Sequence, residues 1–109
     1  MTLSLGSIDA TLTTGTTNAA LYTGAADNVL LLRVTVANTS TAPAFVTVWR
    51  VPSGGSPVDG NTIVEATRVE GQRTIPLPLN GQTLTNGESL YASASVGSVL
   101  NLKGGYAKL

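Results

Sequence analysis

The chain contains no cysteine and no histidine. Without cysteine there is no disulfide framework, no thiol nucleophile and no thiolate metal site. Without histidine as well, Ser-His-Asp and Cys-His nucleophilic sites are excluded. The commonest general acid–base at neutral pH goes with them, as do zinc sites built on either residue. Charge is also scarce: six Lys+Arg balance six Asp+Glu, together 11% of 109 residues, where typical soluble domains carry about 25%. A neutral, charge-poor surface argues against nucleic acid, which is bound by clustered Lys and Arg. It argues equally against an anionic membrane surface. A soluble monomer usually carries more charge to resist association, so this chain is expected to spend its time packed against copies or partners.

Long apolar runs are missing too. The longest, Val29 to Leu32, falls far short of the roughly 20 residues that span a bilayer. The opening stretch MTLSLGSIDATLTTG has neither a basic n-region nor an apolar h-region, so no signal peptide is expected and synthesis in a cytoplasm is. Helical spacing is absent, because Gly, Pro, Asn, Ser and Thr interrupt every window of helical length. A chain of this size buries roughly two-thirds of its unfolded surface, enough for one core and one domain, residues 1–109.

What remains is a series of short β-rich runs with turn signals between them. They predict strands at Ala10–Thr14, Ala19–Thr23, Val29–Ala37, Ala44–Val51, Thr62–Val69, Arg73–Leu79, Ser89–Ser95, Val99–Lys103 and Tyr106–Leu109. The pattern specifies an all-β antiparallel sandwich, jelly-roll or Ig-like. Residues 1–18 form an extended arm or an edge strand in this reading. Asp59-Gly60, Asn80-Gly81 and Asn86-Gly87 each offer the positive-φ pair of a type I′ hairpin. Pro76 and Pro78 put TIPLPL on a sheet edge or in an extended connection, because proline cannot donate to a ladder.

The stretch NVLLLRVTVANTSTAPAFVTVWRVPSGG, residues 28–55, is the most informative. Its first run alternates, with Leu30, Leu32, Val34 and Val36 on the expected core face and Val29, Leu31, Arg33 and Thr35 on the other. Its second run is apolar on both faces: Phe45 and Trp49 on one, Val46 and Val48 on the other. Read as a hairpin, the two runs leave the register open, and a one-residue slip exchanges the faces. Arg50 ends the Val46/Val48 row where it can reach solvent, and the reading preferred here turns Val46 and Val48 inward. Either way large apolar side chains face out, each worth roughly 1.5–3 kcal/mol on burial. A patch of that kind usually has a partner. It is covered by the Thr-rich N-terminal segment, by another subunit or protein, or by a ligand.

Little chemistry competes with that reading. SGGSPVDG lacks the lysine of a phosphate loop. The acids Asp9, Asp27, Asp59, Glu65, Glu70 and Glu88 sit mostly beside turn residues, and no catalytic carboxylate pair is expected. VDGNT offers Asp59 and Asn61 to calcium, but an oxygen cage needs about six to eight ligands, so a plain turn is expected. Asn38-Thr39-Ser40 matches a glycosylation sequon and reads as a turn. EATRVEGQR alternates Glu65, Arg68, Glu70 and Arg73, as a solvated edge or the polar rim of an interface does. No catalytic residue, cofactor or metal site is expected, and the chain is not read as an enzyme.

The segments AALYTGAADNVLLLRVTVANTSTAPAFVTVWRVPSGG, GQTLTNGESLYASAS and VLNLKGGYAKL resemble small β-sandwich structural proteins of tailed-bacteriophage particles. That pattern opens on an LYT loop and a valine-alternating strand. It continues with a VTV strand ending in PSGG and carries a GESLYA strand before the last one. The match runs from Leu21 to Leu109; TGAADN departs from it, standing where the pattern usually has a proline-containing loop. The resemblance implies a virion component made in the host cytoplasm, most simply a capsid decoration or cement protein that docks on the major capsid protein or other virion proteins. It implies a homodimer or homotrimer on the particle. Alternatives are a tail, baseplate or fibre component, and, from another class, a carbohydrate- or receptor-binding module. The expected interface residues are Phe45, Trp49, Leu31 and Arg33, with Tyr22, Tyr91 and Tyr106 as secondary contacts.

Overall fold

The computed structural model describes residues 4–14, 20–23, 28–85 and 87–108, and for residues 4 and 20–23 the backbone only. Nine strands account for most of them: β1 Ser4–Thr11, β2 Ala20–Thr23, β3 Val29–Asn38, β4 Ala44–Val51, β5 Thr62–Val69, β6 Thr74–Leu77, β7 Thr83–Leu84, β8 Ser89–Ala94 and β9 Leu100–Lys108. A 3-10 turn, Asp59–Asn61, interrupts the β4–β5 connection. The expected runs for β3, β4, β5 and β8 match within one residue. β1 begins earlier than expected, at Ser4. The two expected runs at Val99–Lys103 and Tyr106–Leu109 are one continuous strand, β9, through Gly104 and Gly105.

Two antiparallel sheets form a sandwich. One runs β1-β9-β3-β6, with β7 also on β3; the other runs β2-β8-β4-β5. Setting the two-residue β7 aside, the pairs β1–β9, β2–β8, β3–β6 and β4–β5 nest inside one another along the chain. An antiparallel ribbon rolled up in that way is a jelly roll, so the Ig-like alternative is set aside. No α-helix occurs among the described residues.

This topology corrects the hairpin premise for residues 28–55. β3 and β4 lie in different sheets, and residues 39–43 cross between them. Asn38 secures that crossing. It is 2% exposed, and its Nδ2 donates to the carbonyls of Ala42 (2.8 Å) and Val69 (3.0 Å). Its Oδ1 accepts from the Ser40 amide (2.9 Å) and hydroxyl (2.8 Å). The side chain of the sequon asparagine is therefore a buried, satisfied part of a turn.

β3 also departs from simple alternation. Against β9, Leu31 pairs with Tyr106 but Val34 pairs with Gly104, so two residues, Leu32 and Arg33, oppose one. The bulge shifts the phase of the strand. Val29, Leu31, Val34 and Val36 are all fully buried, while Leu32 is half-buried and Arg33 exposed. Leu30 and Leu32, expected in the core, are on the outer side, and Leu31, expected outside, is in the core. Gly104 makes room for this bulge: a Cβ there would sit 2.8 Å from the Arg33 carbonyl oxygen and 3.0 Å from the Val34 Cα.

The core between the sheets is aliphatic throughout. The five-stranded sheet supplies Ile8, Val29, Leu31, Val34, Val36, Leu100 and Leu102; the other supplies Val46, Val48, Val64, Val69, Leu90, Ala92 and Ala94. Leu12, which follows β1, closes one end and is 1% exposed.

Turn chemistry is only partly as expected. The proline-bearing run lies on an edge, since β6 ends its sheet. Asn80-Gly81 does not close a type I′ hairpin, because only Gly81 has positive φ (92°) and because β6 and β7 both pair with β3. That segment is one edge strand interrupted by a turn, in which the Gly81 amide donates to Leu31 and the Leu31 amide to Gln82. Asp59-Gly60 lies in the 3-10 turn instead of a hairpin. Asn86 and Asp27 lie outside the described residues.

Candidate functional site

The outer face of the four-stranded sheet follows from β4. Ala44, Val46 and Val48 are fully buried, so alternation turns Phe45, Thr47 and Trp49 away from the core. β8 matches β4 in unbroken register: Thr47 opposes Ser93, Val48 opposes Ala92, and Trp49 opposes Tyr91. With Leu90 and Ala92 fully buried, Tyr91 and Ser93 share the outer face with Trp49 and Thr47. The face therefore carries two aromatics side by side, a Thr–Ser pair beyond them, and Phe45 at the far end.

Phe45 is held firmly at that end. Its carbonyl accepts from the Ser95 amide and its amide donates to the Ser95 hydroxyl, both at 2.9 Å. Even so its side chain is 38% exposed, and Val96, just beyond Ser95, is 48% exposed. On the other side Phe45 opposes Arg68 in register. Arg68 and Glu70 are ion-paired and exposed, and their mutual hydrogen bond is the main cause of each shift, holding the Glu70 carboxyl below the usual range and the Arg68 guanidinium above its own. This pair borders the aromatic face with a compact polar edge.

β5 bends to make that edge. It carries extra residues against β4 between Val46 and Val48 and again before Trp49. At the first bulge Ala66 takes φ +38°, and its amide donates to the outward Thr47 hydroxyl (3.2 Å). At the opposite end Arg50 lies 3.7 Å from Glu88. Glu88 also accepts from the Thr85 amide (2.8 Å) and hydroxyl (3.0 Å), closing the turn before β8.

The expected interface residues divide among several surfaces. Phe45, Trp49 and Tyr91 come together on the face just described. Leu31 is fully buried and cannot contact a partner; the β3 bulge put it inside. Arg33 is exposed but lies on the bulge of the other sheet. Tyr106 is also in that sheet, half-buried against the core, its ring where a Cβ on Gly6 would be. Tyr22 has its backbone in β2, opposite Leu90; its side chain lies outside the described residues. Sequence reasoning missed Val96, Val58 (55% exposed) and Leu5 (72% exposed). Val96 sits in a Ser/Gly turn that reads as ordinary loop.

Of the Thr-rich segment, residues 15–19 lie outside the described residues. Thr13 accepts from the Ala94 amide at the sheet end, and β2 extends the sheet beside β8. The Asn61 side chain donates to Ser56 (3.0 Å) within its own loop. Among the described residues no three Asp or Glu gather at a metal-binding distance. No protein-family model matches the chain, and no curated protein matches it.

Proposed function

We propose that this protein is a non-catalytic structural component of a tailed-bacteriophage particle, a capsid decoration or cement protein. It docks on shell subunits through the outer face of its four-stranded sheet. The phage assignment rests on the resemblance over Leu21–Leu109. The observation that carries the docking mode is the outward row Phe45, Trp49 and Tyr91, held on a sheet and bordered at its Phe45 end by the Arg68–Glu70 pair. Aromatic centres with polar rims are what protein interfaces are made of. A contact of about 800 Å² per partner is enough for stable docking, and repetition around a shell adds avidity. The scarcity of charge fits a protein that works in an assembly.

Quantitative mass spectrometry of purified particles tests this by the copy number of the chain relative to the major shell protein. A ratio near parity, or a simple fraction of it, supports shell decoration. A ratio of a few per cent moves the chain to tail, neck or fibre, and absence from the particle overturns the structural reading. Trp49 beside Tyr91 also favours a second reading, a sugar-stacking platform on a receptor-binding module. Saturable glycan binding by the isolated protein, lost in Trp49→Ala, would support it.

A further inference from the structure

The two sheets have four edges, and three of them are obstructed. β6 carries Pro76 and breaks at the turn before β7. β5 has two register shifts and a left-handed Ala66. β2 has four residues and a register shift between Ala20 and Tyr22. Short, bulged or proline-bearing edges resist pairing with another strand.

β1 is different. Its eight residues hold unbroken register against β9, from Ser4 opposite Lys108 to Thr11 opposite Asn101. It contains no proline, lysine or bulge, and among the described residues no strand pairs with its outer edge. The direction of its free groups follows from Leu12. The Leu12 amide donates to Leu100 (2.8 Å) and its carbonyl accepts from Ser98 (3.1 Å), so both face β9. Alternation then turns the backbone groups of Ala10, Ile8, Gly6 and Ser4 toward β9, and those of Thr11, Asp9, Ser7 and Leu5 outward. Beside this edge Leu5 is 72% exposed.

We propose that β1 is a homodimerisation edge: a second copy of this chain lays its own β1 antiparallel against it, joining the two five-stranded sheets across a twofold axis. An antiparallel pair of identical strands is self-complementary, as an isologous contact requires. Charge agrees with a second copy as the occupant. The chain is neutral, and the one charged side chain of β1, Asp9, lies 3.5 Å from Lys103 of its own sheet. Centring the axis on Ile8 sets Ser7 against Asp9 of the second copy and Leu5 against Thr11. Centring it on Asp9 would oppose two carboxylates, which is unfavourable. The edge belongs to the opposite sheet from the aromatic row, so this inference stands or falls independently of the docking reading.

Sedimentation equilibrium of the full chain up to millimolar concentration tests the proposal, together with amide hydrogen exchange. A reversible dimer is expected. The Leu5, Ser7, Asp9 and Thr11 amides should gain protection with concentration, while Gly6, Ile8 and Ala10 are protected throughout. Ser7→Pro removes an outward donor and leaves the β9 ladder intact, so it should be a folded monomer. A wild-type chain that is monomeric at every concentration would overturn the proposal. So would a dimer that survives Ser7→Pro, or one whose odd-numbered β1 amides exchange freely. Should Ser7→Pro fail to fold, the wild-type exchange pattern decides alone; an extended segment of another protein found on β1 of a monomer counts against it.

Discussion

Trp49 and Tyr91 stand opposite each other on the outer side of the four-stranded sheet, while their chain neighbours Val48 and Ala92 stand opposite each other in the core. One register thus sets both the packing and the candidate surface. A slip of one residue would bury the rings and expose the aliphatics.

Trp49→Ala, at a half-buried position on the outer face, should leave the fold intact at a cost of about 1 kcal/mol, near the centre of point-mutant effects. Leu31→Ala, at a fully buried position, should cost about 2–5 kcal/mol through lost burial and a cavity. Urea denaturation of the two variants with unchanged slope checks the order. The reverse order would place the ring, and not Leu31, in the core.

Asn38→Ala should cost about 1–3 kcal/mol, because it takes the Nδ2 donor from the buried Val69 carbonyl, while the exposed Ala42 carbonyl keeps the Ser40 hydroxyl. Asn38→Asp should be worse at neutral pH, since a carboxylate cannot donate and would face those carbonyls. Thermal unfolding of both variants beside wild type measures the difference.

Gly104→Ala should destabilise by about 1–3 kcal/mol, as overpacking does, because the added methyl meets the backbone of Arg33 and Val34 at the bulge. Gly6→Ala should cost less, because the group it meets is the end of the Tyr106 ring, which can swing aside. A shift in melting temperature that is larger for Gly104→Ala is the expected result.

Acid should weaken the Arg68–Glu70 border of the aromatic face. The folded-state Glu70 carboxyl is held low by the Arg68 hydrogen bond. Its contribution is therefore present above the unfolded carboxylate range and is lost as pH falls through the folded value. Arg68 is shifted upward, so its own loss comes only as pH rises through the guanidinium range. The pair is exposed and the effect small: wild type and Glu70→Gln should differ slightly in melting temperature at neutral pH and converge in acid.

The β class, most strand positions and the two-faced alternation of β4 were legible in the chain. Each is written locally, in period-two alternation and in the turn residues that bound it. Which β4 row faces inward was left open. The β3 bulge was not legible. The run VLLLRV offers apolar residues to both faces, and only the β9 partner, with Gly104 opposite Val34, selects where the extra residue goes. The same ambiguity placed Leu31 on the wrong side. β7 was missed because two residues carry no periodicity, and the role of Asn38 was hidden because its partners, Ala42 and Val69, meet it only after the sheets pack.

By itself, then, the sequence determined an all-β, charge-poor chain without cysteine or histidine chemistry, with more apolar side chains on β4 than one core face can use. Tertiary structure alone decided that β3 and β4 belong to different sheets, that Phe45, Trp49 and Tyr91 share one outer face, and that among the described residues no strand pairs with the outer edge of β1. The physical reason is range. Alternation and turn preference act over a few residues, whereas strand partners such as Ser4 and Lys108 are brought together from opposite ends of the chain.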